Sequence, residues 1–258
     1  MTAAKRWKPG PRTSLLLVVL PVFAAALLGA ALTWRGTGHD PAFLPEMAPN
    51  PVILSTGTHL FVQKYEVSVA EWNTCHESGA CTLRLRARPD QEAHLTPATG
   101  LSYVDVGEYL GWVNKTTGAA FRLPTMDEWT AMAASVLPDA SPPTFTDPSL
   151  TWASAYLTEG LAPRALKPRG SFSISPEGIA DLDGSVWEWT QACFAGASGD
   201  VDPARCPAFY VGGEHVAAMS YLIRDPARGG CAVGSPPAHL GMRLVTEQAV
   251  GKQAAHRP

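Results

Sequence analysis

The spacing of apolar and polar residues predicts a chain with few regular elements. Residues 61–69 are rich in β-branched and aromatic side chains and begin as a strand, and the pattern becomes helical over residues 70–76. Two further short strands are predicted near residues 209–211 and 241–245. Because the stretches between these elements are mostly irregular, the pattern favours a loop-dominated α+β domain.

Two helices carry sequence signals for where they begin. Ser102 is suited to cap a helix over residues 104–115, because an aspartate follows three positions later, and Gly118 lies just past the end of this helix. Thr125 has a glutamate at the same spacing and opens a helix that runs to about residue 136. The spacing predicts that these helices turn the following apolar residues inward: Val106, Leu110, Val113, Trp129, Met132 and Ala133.

The start of the chain has the composition of a membrane-targeting segment. Residues 1–13 carry four basic residues and no acidic one, and residues 14–34 form an uncharged run rich in leucine, valine and alanine. A run of about 20 apolar residues can span a bilayer, and the basic flank before it predicts that the rest of the chain is exported. Cleavage after Ala31 stays open, whereas the length of the run favours a retained anchor. We therefore expect a single-pass inner-membrane protein with a periplasmic domain or, after cleavage, a periplasmic protein.

The remainder of the chain, about 210 residues, fits one large domain. We assign residues 35–49 to a linker, residues 50–247 to the domain and residues 248–258 to a polar tail. Glycine and proline number 23 each and charged residues make up only 17% of the chain, which favours a loop-rich fold. The formal charge of −3 argues against nucleic acid as a partner.

The five cysteines of an exported chain are more readily interpreted as disulfides than as a metal cluster. Pairing of Cys75 with Cys81, and of Cys193 with Cys206, is the simplest arrangement because short loops close at low entropic cost. It leaves Cys231 as a lone thiol, which is either buried and inert or reactive.

The run Trp187-Glu188-Trp189 places two large apolar rings on either side of a carboxylate. Such rings bury much apolar area, so we interpret both tryptophans as core residues. A carboxylate between them cannot be buried alone, and Glu188 is therefore predicted to meet an arginine or a cation.

Five groups of residues follow one another in an informative order. They are Tyr65 to Ser68 with Trp72; Pro97 and Gly100 to Tyr103 before Asp105; Thr117, Gly118 and Phe121 to Thr125 with Glu128 and Trp129; Gly178 to Trp189; and Gly212, Gly213, Arg228 and Leu240 to Arg243. In order and spacing these groups resemble the motifs of the formylglycine-generating enzyme, or sulfatase-modifying factor, family. The resemblance covers roughly residues 50–246. It implies a C-type-lectin-like α+β fold with little regular structure, which agrees with the composition.

The family's defining activity is the copper- and oxygen-dependent oxidation of a cysteine in a nascent sulfatase to formylglycine. The resemblance implies that two cysteines, five positions apart after the paired glycines, would hold the cuprous ion. Here those positions fall on Ala217 and Leu222, whose side chains cannot bind a metal. We therefore expect neither copper nor formylglycine generation by the usual mechanism.

Several potential ligands lie in the stretch that builds the family's active cleft. They are Glu214, His215, Met219, Cys231 and His239. Histidine, methionine and cysteine together would suit copper, but their spacing matches no metal template, and such side chains are more often packed or solvated.

The segment Asp181-Leu182-Asp183-Gly184-Ser185 looks like the start of a calcium loop, without the remaining oxygen ligands of an EF-hand. The resemblance implies a structural calcium near this motif, with an asparagine where Ser185 stands. Asp181, Asp183 and Glu188 are therefore candidate calcium ligands, and capping or ion pairing is the alternative for all three.

These observations leave hypotheses from three classes. The preferred one is a membrane-tethered accessory protein that binds a partner polypeptide or helps to mature a periplasmic enzyme. The resemblance suggests copper nitrite reductase, because family members of this kind stand beside it in denitrifying bacteria. The alternative is an oxidoreductase of the formylglycine-generating type with a changed active site, in which His215, Cys231 and Arg228 are the candidate catalytic residues. A lectin-like module for glycans is a third hypothesis, resting on fold analogy.

Overall fold

In a computed structural model, the regular structure of the described residues consists of three short α-helices, one 3-10 helix (Pro41–Phe43) and two small sheets. The described residues are 39–137, 165–194, 205–214, 216–226 and 238–251. Among them, no helix is both long enough and apolar enough to cross a membrane, and the predicted anchor at residues 14–34 lies outside them.

Each helix begins at a capping box, in which a hydroxyl accepts from the backbone amide three residues on and an acidic side chain there accepts from the cap's own amide. Helix α1 spans Val69–Glu77, α2 spans Tyr103–Thr117 and α3 spans Met126–Ala133. The caps are Ser68 with Glu71, Ser102 with Asp105, and Thr125 with Glu128. The predicted starts of the two later helices are thus confirmed.

The ends of these helices follow different local rules. Helix α2 ends at Gly118, whose φ of 69° is the left-handed conformation that glycine adopts without strain. Helix α3 stops earlier than the predicted residue 136. The amides of Val136 and Leu137 both donate to the carbonyl of Ala133, so the chain closes into a turn just before Pro138.

The first sheet joins the two ends of the described chain. Its strands are β1 (Val52–Ile53), β2 (His59–Val62) and β7 (Val245–Thr246), in the order β1-β2-β7 with both pairs antiparallel. The strand predicted to begin at residue 61 is therefore present, but it ends at Val62 rather than reaching the helix.

The second sheet is centred on the tryptophan-rich segment. Its strands are β3 (Val186–Cys193), β4 (Ala208–Gly212), β5 (Ala217–Ser220) and β6 (His239–Gly241), in the order β5-β4-β3-β6. Only the β3–β6 pair in this sheet is parallel among the described strands. The single strand predicted at residues 241–245 is instead split between β6 and β7. Between them Arg243 turns its guanidinium into the core.

Aromatic side chains fill the core that holds these elements together. Trp187 and Trp189 of β3 are fully buried, as predicted, and Trp189 donates its indole N–H to the carbonyl of Leu101. Trp72 of α1 stacks on Tyr109 of α2, with ring centroids 5.5 Å apart. The core therefore attaches two of the helices to the second sheet and to each other.

Both predicted disulfides are present. Cys75 pairs with Cys81 just after α1, and Cys193 at the end of β3 pairs with Cys206 just before β4. The second bridge closes the connection between two adjacent strands. Cys231 lies outside the described residues.

Candidate functional site

The paired glycines after β4 are required by close packing against two tryptophan rings. A Cβ atom on Gly212 would overlap the ring of Trp129, and one on Gly213 would overlap the ring of Trp187. Only a residue without a side chain fits at either position. The backbone of β4 is thus held against the core just before the segment that the resemblance identifies as the active cleft.

The two positions that the resemblance assigns to copper ligands have different surroundings. Ala217 is fully buried at the start of β5. Leu222 lies in the turn after β5 and is 61% exposed. A methyl group and an isobutyl group provide no metal ligand, so the absence of copper stays a prediction that depends on this alignment.

An arginine fixes the turn after β5 to the first turn of helix α2. Arg224 donates from Nε and Nη2 to the two carboxylate oxygens of Asp105, at 2.7 and 2.6 Å. Asp105 also accepts from the hydroxyl and the backbone amide of Ser102, at 2.6 and 2.8 Å. One carboxylate therefore completes the helix cap and holds the turn at the same time.

The electrostatics of this carboxylate reflect the two roles. Burial alone would raise the pKa of Asp105, but the hydrogen bonds from Arg224 and Ser102 outweigh it and lower the pKa. The acceptor is therefore ionised at neutral pH, which is the state that an arginine fork prefers.

Apolar side chains stand exposed around this arginine. The amide of Tyr103 donates to the carbonyl of Tyr221, which places the residue after Tyr103, Val104, beside the turn. Val104 is 48% exposed and Tyr221 is 39% exposed. We call the surface formed by Val104, Tyr221, Leu222 and Arg224 the docking face.

The ring of Tyr103 supports the docking face from below. It stacks on Phe209 of β4 with nearly parallel planes and meets the edge of Trp189 of β3 at 5.7 Å. The first turn of α2 is therefore packed on the second sheet, and the exposed groups next to it stand on a rigid base.

The carboxylate between the two core tryptophans meets an arginine, as predicted. Arg243 donates from Nε to Oε1 of Glu188 at 2.9 Å, and its Nη2 lies 2.8 Å from the same oxygen. Trp129 donates its indole N–H to the other oxygen of Glu188 at 3.0 Å. Both members of the ion pair are fully buried. This pair connects β3, α3 and the segment between β6 and β7, so it is part of the scaffold rather than of an open cleft.

A second buried carboxyl lies beside the same guanidinium. The nearest Arg243 nitrogen is 3.8 Å from Oε2 of Glu66, and this oxygen has no hydrogen-bond partner in the described part of the chain. Burial raises the pKa of Glu66 to about 8, although the charge of Arg243 acts in the opposite direction. Burial therefore favours the protonated form of Glu66 in the folded protein.

The candidate calcium ligands lie next to backbone donors. Asp181, with a left-handed φ of 65°, accepts from the amides of Gly170 and Phe172, and Asp183 accepts from the amide of Ser173 at 3.0 Å. Glu188 is bonded as described above. Across the described residues no group of three or more His, Cys, Asp or Glu side chains is arranged to hold a metal ion. The calcium site stays a prediction.

The candidate catalytic residues His215, Arg228 and Cys231 all lie outside the described residues. Of the other residues suggested as ligands, Glu214 follows β4, Met219 is buried within β5 and His239 opens β6. Their catalytic or metal-binding roles stay predictions.

Sequence analysis missed the Arg224–Asp105 pair. Asp105 is identifiable from its capping position, but its partner lies 119 residues further along the chain. No local spacing connects two residues so far apart. The only available signal was that Arg224 falls within the stretch that the resemblance assigns to the cleft.

Comparison with known proteins places these features in context. Residues 38–248 match the family model described as FGE-sulfatase, the sulfatase-modifying factor enzyme 1-like domain. No curated protein matches the chain.

Solved structures with similar folds include three at low identity. PvdO from Pseudomonas aeruginosa is 16% identical, with a TM-score of 0.48 over 73% of this chain and 80% of that one. Treponema denticola variable protein 1 is 15% identical, with a TM-score of 0.45 over 74% and 85% of the two chains. CarF is 16% identical, with a TM-score of 0.45 over 73% and 87%.

Proposed function

Because this chain belongs to the family of sulfatase-modifying factor enzyme 1-like domains, we propose that it uses the family's cleft region to bind a partner polypeptide rather than to make formylglycine. In this proposal the chain is an exported accessory protein, tethered to the inner membrane by residues 14–34. It assists the maturation or function of a periplasmic enzyme, and copper nitrite reductase is the candidate suggested by the family resemblance.

The observation that carries this proposal is the docking face. An exposed leucine and tyrosine stand in the segment where the resemblance places the reactive cysteines, next to a half-exposed arginine. Clustered exposed apolar groups of this kind are typical of protein-binding surfaces, in which aromatic residues and arginine contribute most of the affinity.

The rigidity of the docking face also supports binding. The Arg224–Asp105 pair and the backbone bond from Tyr103 to Tyr221 hold the turn against helix α2. A surface that is already ordered loses little conformational entropy when a partner binds.

The first experiment tests the docking face in the native host. A photo-cross-linking amino acid at Tyr221 of the full-length chain should yield a discrete adduct, which mass spectrometry identifies. We expect Leu222→Glu to reduce the adduct at least about fivefold, because a carboxylate would have to be desolvated against an apolar partner surface. The matched control is Ile174→Glu, since Ile174 is also 61% exposed but lies away from this face in the sequence. Equal loss in both variants, or no adduct at all, would contradict the proposal.

The second experiment separates this function from the oxidoreductase alternative. The full-length chain is incubated with cuprous ion, oxygen and a Cys-x-Pro-x-Arg peptide, and the peptide mass is compared before and after. We expect no conversion, because the chain offers alanine and leucine in place of two thiols. Conversion that disappears in Cys231→Ser would instead establish an oxidising site built from the residues that sequence analysis named.

A further inference from the structure

A row of arginines lies on one side of an extended segment just after the first disulfide. In Thr82-Leu83-Arg84-Leu85-Arg86-Ala87-Arg88 the three arginines are exposed, whereas Leu83 and Leu85 are partly buried and pack against the core. This alternation is that of an extended chain with one face inward and one face outward. We call Arg84, Arg86 and Arg88 the arginine strip.

Side chains of helix α1 hold the backbone of this segment. Trp72 donates its indole N–H to the carbonyl of Leu83 at 2.7 Å. Asn73 bonds both backbone groups of Leu85, donating to its carbonyl and accepting from its amide at 3.0 Å each. The asparagine thus replaces a neighbouring strand, and the outward direction of the arginines is fixed by the fold.

The arginine strip has little compensation from acidic groups. Within the described part of the chain, neither Arg84 nor Arg86 forms an ion pair or a hydrogen bond through its side chain. The third member, Arg88, lies 3.9 Å from Asp90, and both of these side chains are largely exposed. A concentrated positive charge on a chain with a formal charge of −3 is therefore available to an anionic ligand.

The segment that carries the arginine strip begins at Thr82, which is bonded to the helix that contributes Val104 to the docking face. Thr82 donates from its amide and its hydroxyl to the two carboxylate oxygens of Glu108, at 2.7 and 2.9 Å. Glu108 lies one turn after Val104 on helix α2, and its charge contributes to the raised pKa of Arg224. A single extended ligand could therefore contact both surfaces across α2.

We propose that the arginine strip binds a carboxylate-rich, extended segment of the partner protein. The inference rests on the proposed function only for the identity of that partner. Arginines at every second position of an extended chain are about 7 Å apart, which is also the spacing of side chains on one face of an extended peptide. Each guanidinium can bind a carboxylate through two parallel hydrogen bonds.

Other anionic ligands fit the arginine strip less well. The strip is one residue wide and about 13 Å long, whereas a membrane surface or a nucleic acid backbone is bound by broader basic surfaces.

The test measures binding of a fluorescent peptide of alternating glutamate and serine to the full-length chain in a nonionic detergent, by anisotropy. We expect Arg84→Gln/Arg86→Gln to weaken binding at least about tenfold, because two charge-assisted pairs are lost. The matched control is Lys115→Gln/Arg205→Gln, which removes the same two charges from exposed positions elsewhere and should change binding less than about twofold. Arg84→Lys/Arg86→Lys keeps the charges without the fork and should give an intermediate affinity.

Two results would overturn the inference. One is equal weakening by the strip variant and the charge-matched control, which would mean that only net charge matters. The other is tighter, strip-dependent binding of phosphatidylglycerol vesicles or of a single-stranded oligonucleotide than of the acidic peptide. If the peptide assay fails while the Tyr221 adduct still forms, the docking face stands and only the arginine strip is excluded.

Discussion

Two regions of this molecule each use an arginine–carboxylate pair, but for different purposes. Arg243 and Glu188 are fully buried, and two of the three guanidinium nitrogens, Nε and Nη2, lie close to the same carboxylate oxygen. Arg224 and Asp105 form a bidentate pair with shorter nitrogen–oxygen distances, but the arginine is about half exposed. Short distances alone would rank the second pair as the stronger. Burial reverses that order for the stability lost when a pair is broken. A charge left unpaired in the core cannot be solvated by water, whereas a charge near the surface can.

The other hydrogen-bond partners of the two arginines explain why the two pairs have different roles. Besides Glu188, Arg243 donates to the backbone carbonyls of Gln63, Lys64 and Ala180, so it joins segments from three parts of the chain. Arg224, in contrast, fixes one surface turn to one helix. The buried pair therefore maintains the scaffold and the exposed pair shapes the docking face.

The largest loss of stability is expected for Arg243→Met. This change leaves Glu188 buried without its cation and frees three backbone carbonyls, so we expect the free energy of unfolding to fall by about 3–5 kcal/mol. Urea unfolding of the full-length chain, followed by tryptophan fluorescence, measures this loss.

The double variant Glu188→Gln/Arg243→Met provides the control for that loss. It removes the charge that the single variant strands, so a substantial part of the stability should return. If Arg243→Met were as stable as Arg224→Met, burial would not be the cause of the difference between the two pairs.

Glu66, which lies beside the buried Arg243–Glu188 pair, is expected to make the stability of the protein depend on pH. The pKa of Glu66 is 4.5 in an ordinary environment and about 8 in the folded protein. Between these two pH values the folded protein retains a proton on Glu66 that the unfolded chain has released. The free energy of unfolding therefore declines as pH rises through this window, by about 1 kcal/mol per pH unit. Glu66→Gln cannot titrate, so the variant should lose less stability over the same window. Unfolding curves recorded at several pH values within the window test this, and a constant difference between the two proteins would contradict it.

The smallest effect on stability is expected at the exposed pair. Arg224→Met should lower the free energy of unfolding by only about 1 kcal/mol, since solvent screens the half-exposed arginine and Ser102 still donates two hydrogen bonds to the buried carboxylate of Asp105. The pair lowers the pKa of Asp105, so its contribution is present above the ordinary value of 3.8 and is lost as pH falls through the lower, folded pKa.

A separate readout distinguishes shape from stability at this exposed pair. In Arg224→Met the yield of the Tyr221 cross-link should fall strongly while the free energy of unfolding changes little. The reason is that the turn is no longer held against α2. Arg205→Met, at another exposed arginine, is the control for removing a surface charge. Unchanged cross-linking in Arg224→Met would separate the turn's geometry from partner binding.

The parts of the fold that sequence analysis anticipated depend on near neighbours. Ser102 and Thr125 each carry an acidic residue three positions later, and a helix brings such positions together in any fold. The disulfides Cys75–Cys81 and Cys193–Cys206 join cysteines 6 and 13 positions apart, for which short-loop closure is a sufficient guide. The single strand predicted at residues 241–245 was wrong because a buried partner for Arg243 interrupts the ladder, and strand propensity contains no information about such a partner.

The sequence by itself determined the local elements, the disulfides, the family and the kind of partner that Glu188 needs. Only the tertiary structure decided that this partner is Arg243, 55 positions away, that Arg224 reaches Asp105, and that Arg84 and Arg86 face solvent. The physical reason is one of range. Helical caps and short loops are governed by bonds and torsions within a few residues. The choice among distant charged partners is made by packing of the whole core, which excludes water from both members of one pair and leaves the arginine of the other pair half exposed.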